Sequence, residues 1–126
     1  MPINSTIDPD NRLVLTVCTG VISMNDFHYY LYEFLAKNEI KGCNEIFDTT
    51  AADWSNISYS DLMTVSQKAG EIAAIDNGTK FAWVVGGPEV KELTEFYKTT
   101  KLLQTKKSRI LRAFDGFDEA MHWIMN

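Results

Sequence analysis

The stretch CNEIFDTTAADWSNISYSDL, residues 43–62, decides the reading of the whole chain, because it passes from an apolar strand through a polar connection into a helix start. Residues 45–48 read as the strand, and Asp48 closes it at the carboxyl end, where open α/β sheets present their working groups. The connection over 49–57 is longer than the roughly 2–6 residues usual between strand and helix, and such excess is more often functional or irregular than idle. Ser58-x-x-Asp61 then reads as a capping box: the hydroxyl accepts the third helical N–H and the carboxylate suits the positive helix end. Asp48, Thr49, Thr50, Asp53, Trp54, Ser58 and Ser60 are therefore the candidate ligand- or partner-binding residues.

Upstream of this stretch, Asp8-Pro9-Asp10-Asn11 is turn chemistry, since Pro presets φ and Asp and Asn bond their own backbone. It predicts a hairpin of strands over 3–7 and 12–19, ended or kinked at Gly20. Ser23-x-x-Asp26 repeats the helix-start signal, and a helix over 24–37 places Met24, Phe27, Tyr30, Leu31, Phe34 and Leu35 on one inward stripe. Tyr29 and Tyr32 fall on the opposite side, where they either lie flat over neighbouring surface or offer a partner interface.

Downstream, the spacing predicts a helix over 59–76 with a small-sided inner face and an Asn77-Gly78 stop. An apolar central strand follows over 80–85, then a Gly86-Gly87-Pro88 turn into a helix over 89–104. That turn lacks the longer phosphate-binding signatures. A strand over 109–114 and a helix begun by Asp115-x-x-Asp118, burying Phe117, Ala120, Met121 and Ile124, complete the chain. The order is ββαβαβαβα: an α/β single domain over 1–126 with a mostly parallel sheet and an antiparallel N-terminal hairpin.

Composition agrees with a folded domain: 126 residues, 45% hydrophobic and 23% charged. A net charge of -5 argues against nucleic-acid binding, which needs an excess of phosphate-facing cations. The distribution is uneven, since residues 98–112 carry six basic side chains and no acidic one. Lys98, Lys101, Lys106 and Lys107 there are candidates for docking on an anionic membrane leaflet or an acidic partner; the alternative is a solvated helix end. Cys18 and Cys43 stand far apart without metal-ligand spacing and read as buried reduced thiols. No signal-like or membrane-spanning segment is present in the sequence, so a cytoplasmic location is expected.

The opening hairpin INSTIDPDNRLVLTVCTG with the SMNDF helix start, the segment EIFDTTAADWSNISYSDL, and the ending ILRAFDGFDEAMHWI together resemble the STAS domains, in particular the stand-alone SpoIIAA-like bacterial proteins. In the antagonist members of that family, the loop after the central strand carries an Asp-Ser-Ser-Gly motif whose Ser is phosphorylated to switch partner binding. The matching stretch here is Ile57-Ser58-Tyr59-Ser60-Asp61-Leu62, so the motif itself is absent. What the resemblance implies is a switch hydroxyl at Ser58 or Ser60, against the simpler reading of Ser58 as a helix cap. The SpoIIAA-like fold is also similar to lipid-carrier domains of the CRAL-TRIO kind, which implies a small apolar ligand or peripheral membrane contact.

Catalytic chemistry is thin. His28 and His122 are the only histidines, no metal, nucleotide or nucleophile-elbow motif appears, and no metal or cofactor is expected. A hydrolase-like use of an Asp48–Asp53 carboxylate pair is the residual enzymatic reading. The expectation is a non-catalytic binding or regulatory module acting on a protein partner, with homodimerisation compatible, and a carrier or sensor of a small apolar ligand as the alternative.

Overall fold

The computed structural model describes residues 2–36, 40, 42–73, 79–102 and 110–126. Two antiparallel strands, β1 (Ile3–Asp8) and β2 (Leu13–Val21), open the chain and pair with Ile3 opposite Cys18 and Asp8 opposite Leu13. The hairpin turn closes as the turn residues require: Asp8 accepts from the Asn11 amide side chain at 2.8 Å, and Arg12 takes the left-handed conformation at φ 49. The Asn11 side chain, followed by its backbone N–H, holds the Asp8 carboxyl below its ordinary value of 3.8.

Helix α1 (Met24–Tyr29) starts on a complete capping box, Ser23 Oγ accepting from Asp26 N and Asp26 accepting from Ser23 N at 2.8 Å. It does not run on as an α-helix to 37. From Tyr30 to Leu35 it widens to a π-helix, and it ends at Ala36. The inward stripe survives the change: Phe27, Tyr30 and Leu31 are buried, with Met24, Phe34 and Leu35 packed against them. Tyr29 and Tyr32 are half-exposed, Tyr32 stacked on His28 at 6.0 Å.

Strand β3 (Asn44–Asp53), helix α2 (Tyr59–Ala73), β4 (Lys80–Val84), α3 (Gly87–Leu102), β5 (Ile110–Phe114) and α4 (Phe117–Met125) follow. The sheet order is β1-β2-β3-β4-β5, with every pair after the first parallel. Because β2 to β5 step across the sheet in one direction, right-handed crossovers place α1, α2 and α3 on the same face. The core bears this out: Phe27, Leu31, Leu62, Val65 and Leu93 from those helices enclose Cys18, Phe47 and Trp83 from the strands. Helix α4 covers the other face, where Ala120 and Ile124 meet Ile46, Ala82, Val84 and Phe114.

Further element boundaries differ from expectation. β2 continues through Gly20, whose φ of +70 bends it without ending it, to Val21. β3 runs five residues past Asp48, so the expected nine-residue loop shrinks to residues 54–58. Asp115 does not cap α4: Gly116 occupies the N-cap without a side-chain bond, and Asp115 pairs with Lys91 at 3.0 Å. Both cysteines are buried and outside any disulfide, and burial, reinforced by the Glu45 charge, pushes the Cys18 thiol up.

Candidate functional site

Strand β3 continues past Asp48 through a bulge at the candidate site, and Ala51–Asp53 pair onward with Thr19–Val21. Val17 pairs with Asp48 and Thr19 with Ala51, so Thr49 and Thr50 together oppose Cys18. An extra residue leaves a backbone N–H outside the ladder, and here Asp48 takes it: its Oδ1 accepts from Thr50 N at 3.0 Å and from Thr50 Oγ1 at 2.8 Å. The bulge presses the Thr50 backbone against Gly86. A Cβ there would stand 2.7 Å from Thr50 Cα and 2.8 Å from its carbonyl oxygen, which is why the β4–α3 turn requires glycine.

The side chains around the bulge divide into buried and exposed sets. Thr49 points into the core, donating to Val84 O at 2.8 Å and accepting from Trp83 Nε1 at 3.0 Å. Trp54 folds back over the sheet end and is buried between Phe27 (5.8 Å) and Trp83 (6.0 Å), closing this end of the core. Its indole Nε1 has no hydrogen-bond partner among the described residues. Thr50, Asp53, Ser58 and Ser60 are exposed along the rim.

These rim groups are fixed by local bonds. Asp53 Oδ1 accepts from Ser55 N at 2.9 Å, which holds its carboxyl below the ordinary value of 3.8. Ser58 Oγ accepts from Asp61 N at 3.1 Å and Asp61 accepts from Ser58 N at 3.0 Å, so Ser58 is engaged as a cap. The Ser60 hydroxyl makes no hydrogen bond among the described residues. Of the two candidate switch hydroxyls, Ser60 is the one that stands free. Beside them, Tyr59 and Met63 expose about half their surface, with the Tyr59 ring 4.9 Å from Phe96.

Asp48 and Asp53 are not brought together, since they stand five strand steps apart, roughly 16 Å. The Lys98 and Lys101 side chains and residues Lys106 and Lys107 lie outside the described residues. Among those described, no group of three or more His, Cys, Asp or Glu side chains could hold a metal ion, and no helix is long and apolar enough to cross a membrane.

One polar centre escaped the sequence reading. Glu45 is fully buried on the inner face of β3, and its Oε2 accepts from Thr16 Oγ1 at 2.6 Å and from Tyr30 OH at 2.7 Å. Thr16 has spent its proton on Glu45, so Ser5 Oγ, 2.7 Å away, donates to Thr16. The signal was present in the strand alternation, which puts Glu45 on the same face as Phe47, and in the inward stripe that carries the Tyr30 hydroxyl into the core. No protein-family model matches the chain, and no curated protein matches it.

Proposed function

We propose that the chain is a non-catalytic binding or regulatory module that engages a protein partner through the rim formed by the β3 bulge and the start of α2. The observation that carries this reading is the pre-set state of the rim. Thr50, Asp53 and Ser58 are exposed yet held by the Asp48–Thr50, Asp53–Ser55 and Ser58–Asp61 bonds, so docking on them orders few side chains. Exposed Tyr59 and Met63 supply apolar contact next to that polar edge. The STAS-like arrangement supports the same face, and Ser60 is the hydroxyl on which a phosphate would sit at a helix N-terminus, switching the rim by charge.

A photo-crosslinking amino acid placed at Ser60, and as a control at exposed Thr6 on β1, tests the reading in cells. A discrete crosslinked species is expected from Ser60 alone, and it should disappear when Thr50 and Asp53 are both changed to Lys. Equal crosslinking from Thr6, or indifference to the two lysines, would defeat the proposal.

A second reading, carriage of a small apolar ligand, is favoured by the Trp54 indole N–H, a buried donor without a partner among the described residues. An acceptor atom of a ligand lodged beneath Trp54 would satisfy it. Native mass spectrometry of the purified protein would reveal such a passenger, and a chain that never carries one speaks against this reading.

A further inference from the structure

On the opposite face of the sheet, away from the rim, an open cleft of about 810 Å³ runs between β5 and α4. Lys80, at the start of β4, and Arg112, at the middle of β5, enter it from the same face as Ala82, Val84 and Phe114. The Lys80 ammonium donates to the Trp123 carbonyl at 3.0 Å and lies 5.2 Å from the centre of the Trp123 ring. That bond uses one of its three protons. The Arg112 guanidinium lies 5.2 Å from the Phe114 ring and 6.0 Å from the Trp123 ring. Two aromatic rings thus flank the guanidinium, whose five N–H donors make no hydrogen bond among the described residues.

Neither cation has a carboxylate within ion-pairing distance among the described residues, although the cleft contains three acidic side chains. Asp115 turns instead to Lys91 at 3.0 Å. Asp118 and Glu119 sit in the first turn of α4, where the helix dipole accounts for them. The cleft is therefore polarised lengthwise: acidic at the carboxyl end of β5, cationic and aromatic towards the start of β4. We propose that it binds a small ligand bearing one carboxylate, with the carboxylate on Arg112 and Lys80 and a planar apolar body against Trp123. A guanidinium fork matches a carboxylate in two parallel bonds, and a half-buried indole offers a ring the area to stack on. The acidic end selects against polyphosphates and other highly charged anions, whose further charges would lie beside Asp118 and Glu119.

Benzoate serves as the probe, with neutral benzamide and inorganic phosphate as the other arms, each titrated into the millimolar range against ¹⁵N-labelled protein. The readout is the Trp123 indole N–H resonance, assigned by its loss in Trp123→Phe. Benzoate should shift it saturably, benzamide should not, and phosphate should bind more weakly. Arg112→Gln should weaken benzoate by about tenfold, and Arg112→Lys by less, because the point charge survives without the fork. Arg112 is exposed, so both variants should fold with unchanged melting. Absence of a saturable shift, equal binding of benzamide, equal binding of phosphate, or an Arg112→Gln protein that binds benzoate undiminished would each overturn the assignment.

Discussion

Two buried polar groups on the face of the sheet covered by α1, α2 and α3 have met opposite fates. Glu45 is enclosed with the Thr16 and Tyr30 hydroxyls aimed at one of its oxygens, while the Trp54 indole N–H is enclosed without a hydrogen-bond partner among the described residues. The first is a finished network, and every member fixes a neighbour: β1 through Ser5, β2 through Thr16, the helical layer through Tyr30 and β3 through Glu45. The second sits at the sheet end beside the bulge. A donor left open at a rim costs stability in the free protein and can be repaid by whatever docks there, whereas a donor left open in the middle of the core could never be. The contrast separates the scaffold from the proposed site.

The sharpest way to break this comparison is to remove the carboxylate. Glu45→Ala strands two buried hydroxyls and opens a void, and should cost about 3 kcal/mol or more, lowering Tm by roughly 10 °C. Thermal melting followed by circular dichroism decides it, and a change under about 1 kcal/mol would mean that the network is not a scaffold. Tyr30→Phe keeps the ring against Phe47 at 5.4 Å and removes only one donor, so its cost should be near 1–2 kcal/mol.

The two core tryptophans sharpen the comparison further. Trp83→Phe and Trp54→Phe lose similar ring area, but only Trp83 gives up a hydrogen bond, to Thr49. Urea denaturation should find Trp83→Phe the more costly by about 1 kcal/mol, the usual net worth of such a bond. Equal costs would show that the Trp54 N–H is satisfied in solution.

Smaller effects belong to the rim. Ser58→Ala should cost about 1 kcal/mol as a lost cap, and Ser60→Asp less than about 1 kcal/mol, because its hydroxyl is free and the helix start tolerates charge. A fall in Tm of more than about 8 °C for Ser60→Asp would remove Ser60 as a switch position. The smallest effect is electrostatic. Asp53 has its folded-state pKa depressed by the Ser55 N–H, so its slight stabilisation is present above the unfolded value and is lost as pH falls through the folded one. An NMR titration should put the Asp53 midpoint below 3.8, and Ser55→Pro, which removes the donor, should return it to that value.

How far the sequence alone reached depends on the range of the interactions involved. Strand alternation, the Asp8-Pro9-Asp10-Asn11 turn and the two Ser-x-x-Asp boxes act within about four residues, and each forms where it was read. The element order and the mostly parallel sheet follow from them, because right-handed crossovers leave few arrangements. At Asp115-x-x-Asp118 the helix begins where the signal lies, but Gly116 takes the cap and the Asp115 carboxylate pairs with Lys91. What tertiary structure alone decided is longer in range. The bulge opposite Cys18 needs the β2–β3 register, the Glu45 network joins residues up to 29 positions apart, and Lys80 meets the Trp123 carbonyl across 43. Those contacts draw on backbone and side-chain groups that no local window contains, so the scaffold's centre and the cationic cleft appear only once the chain has closed on itself.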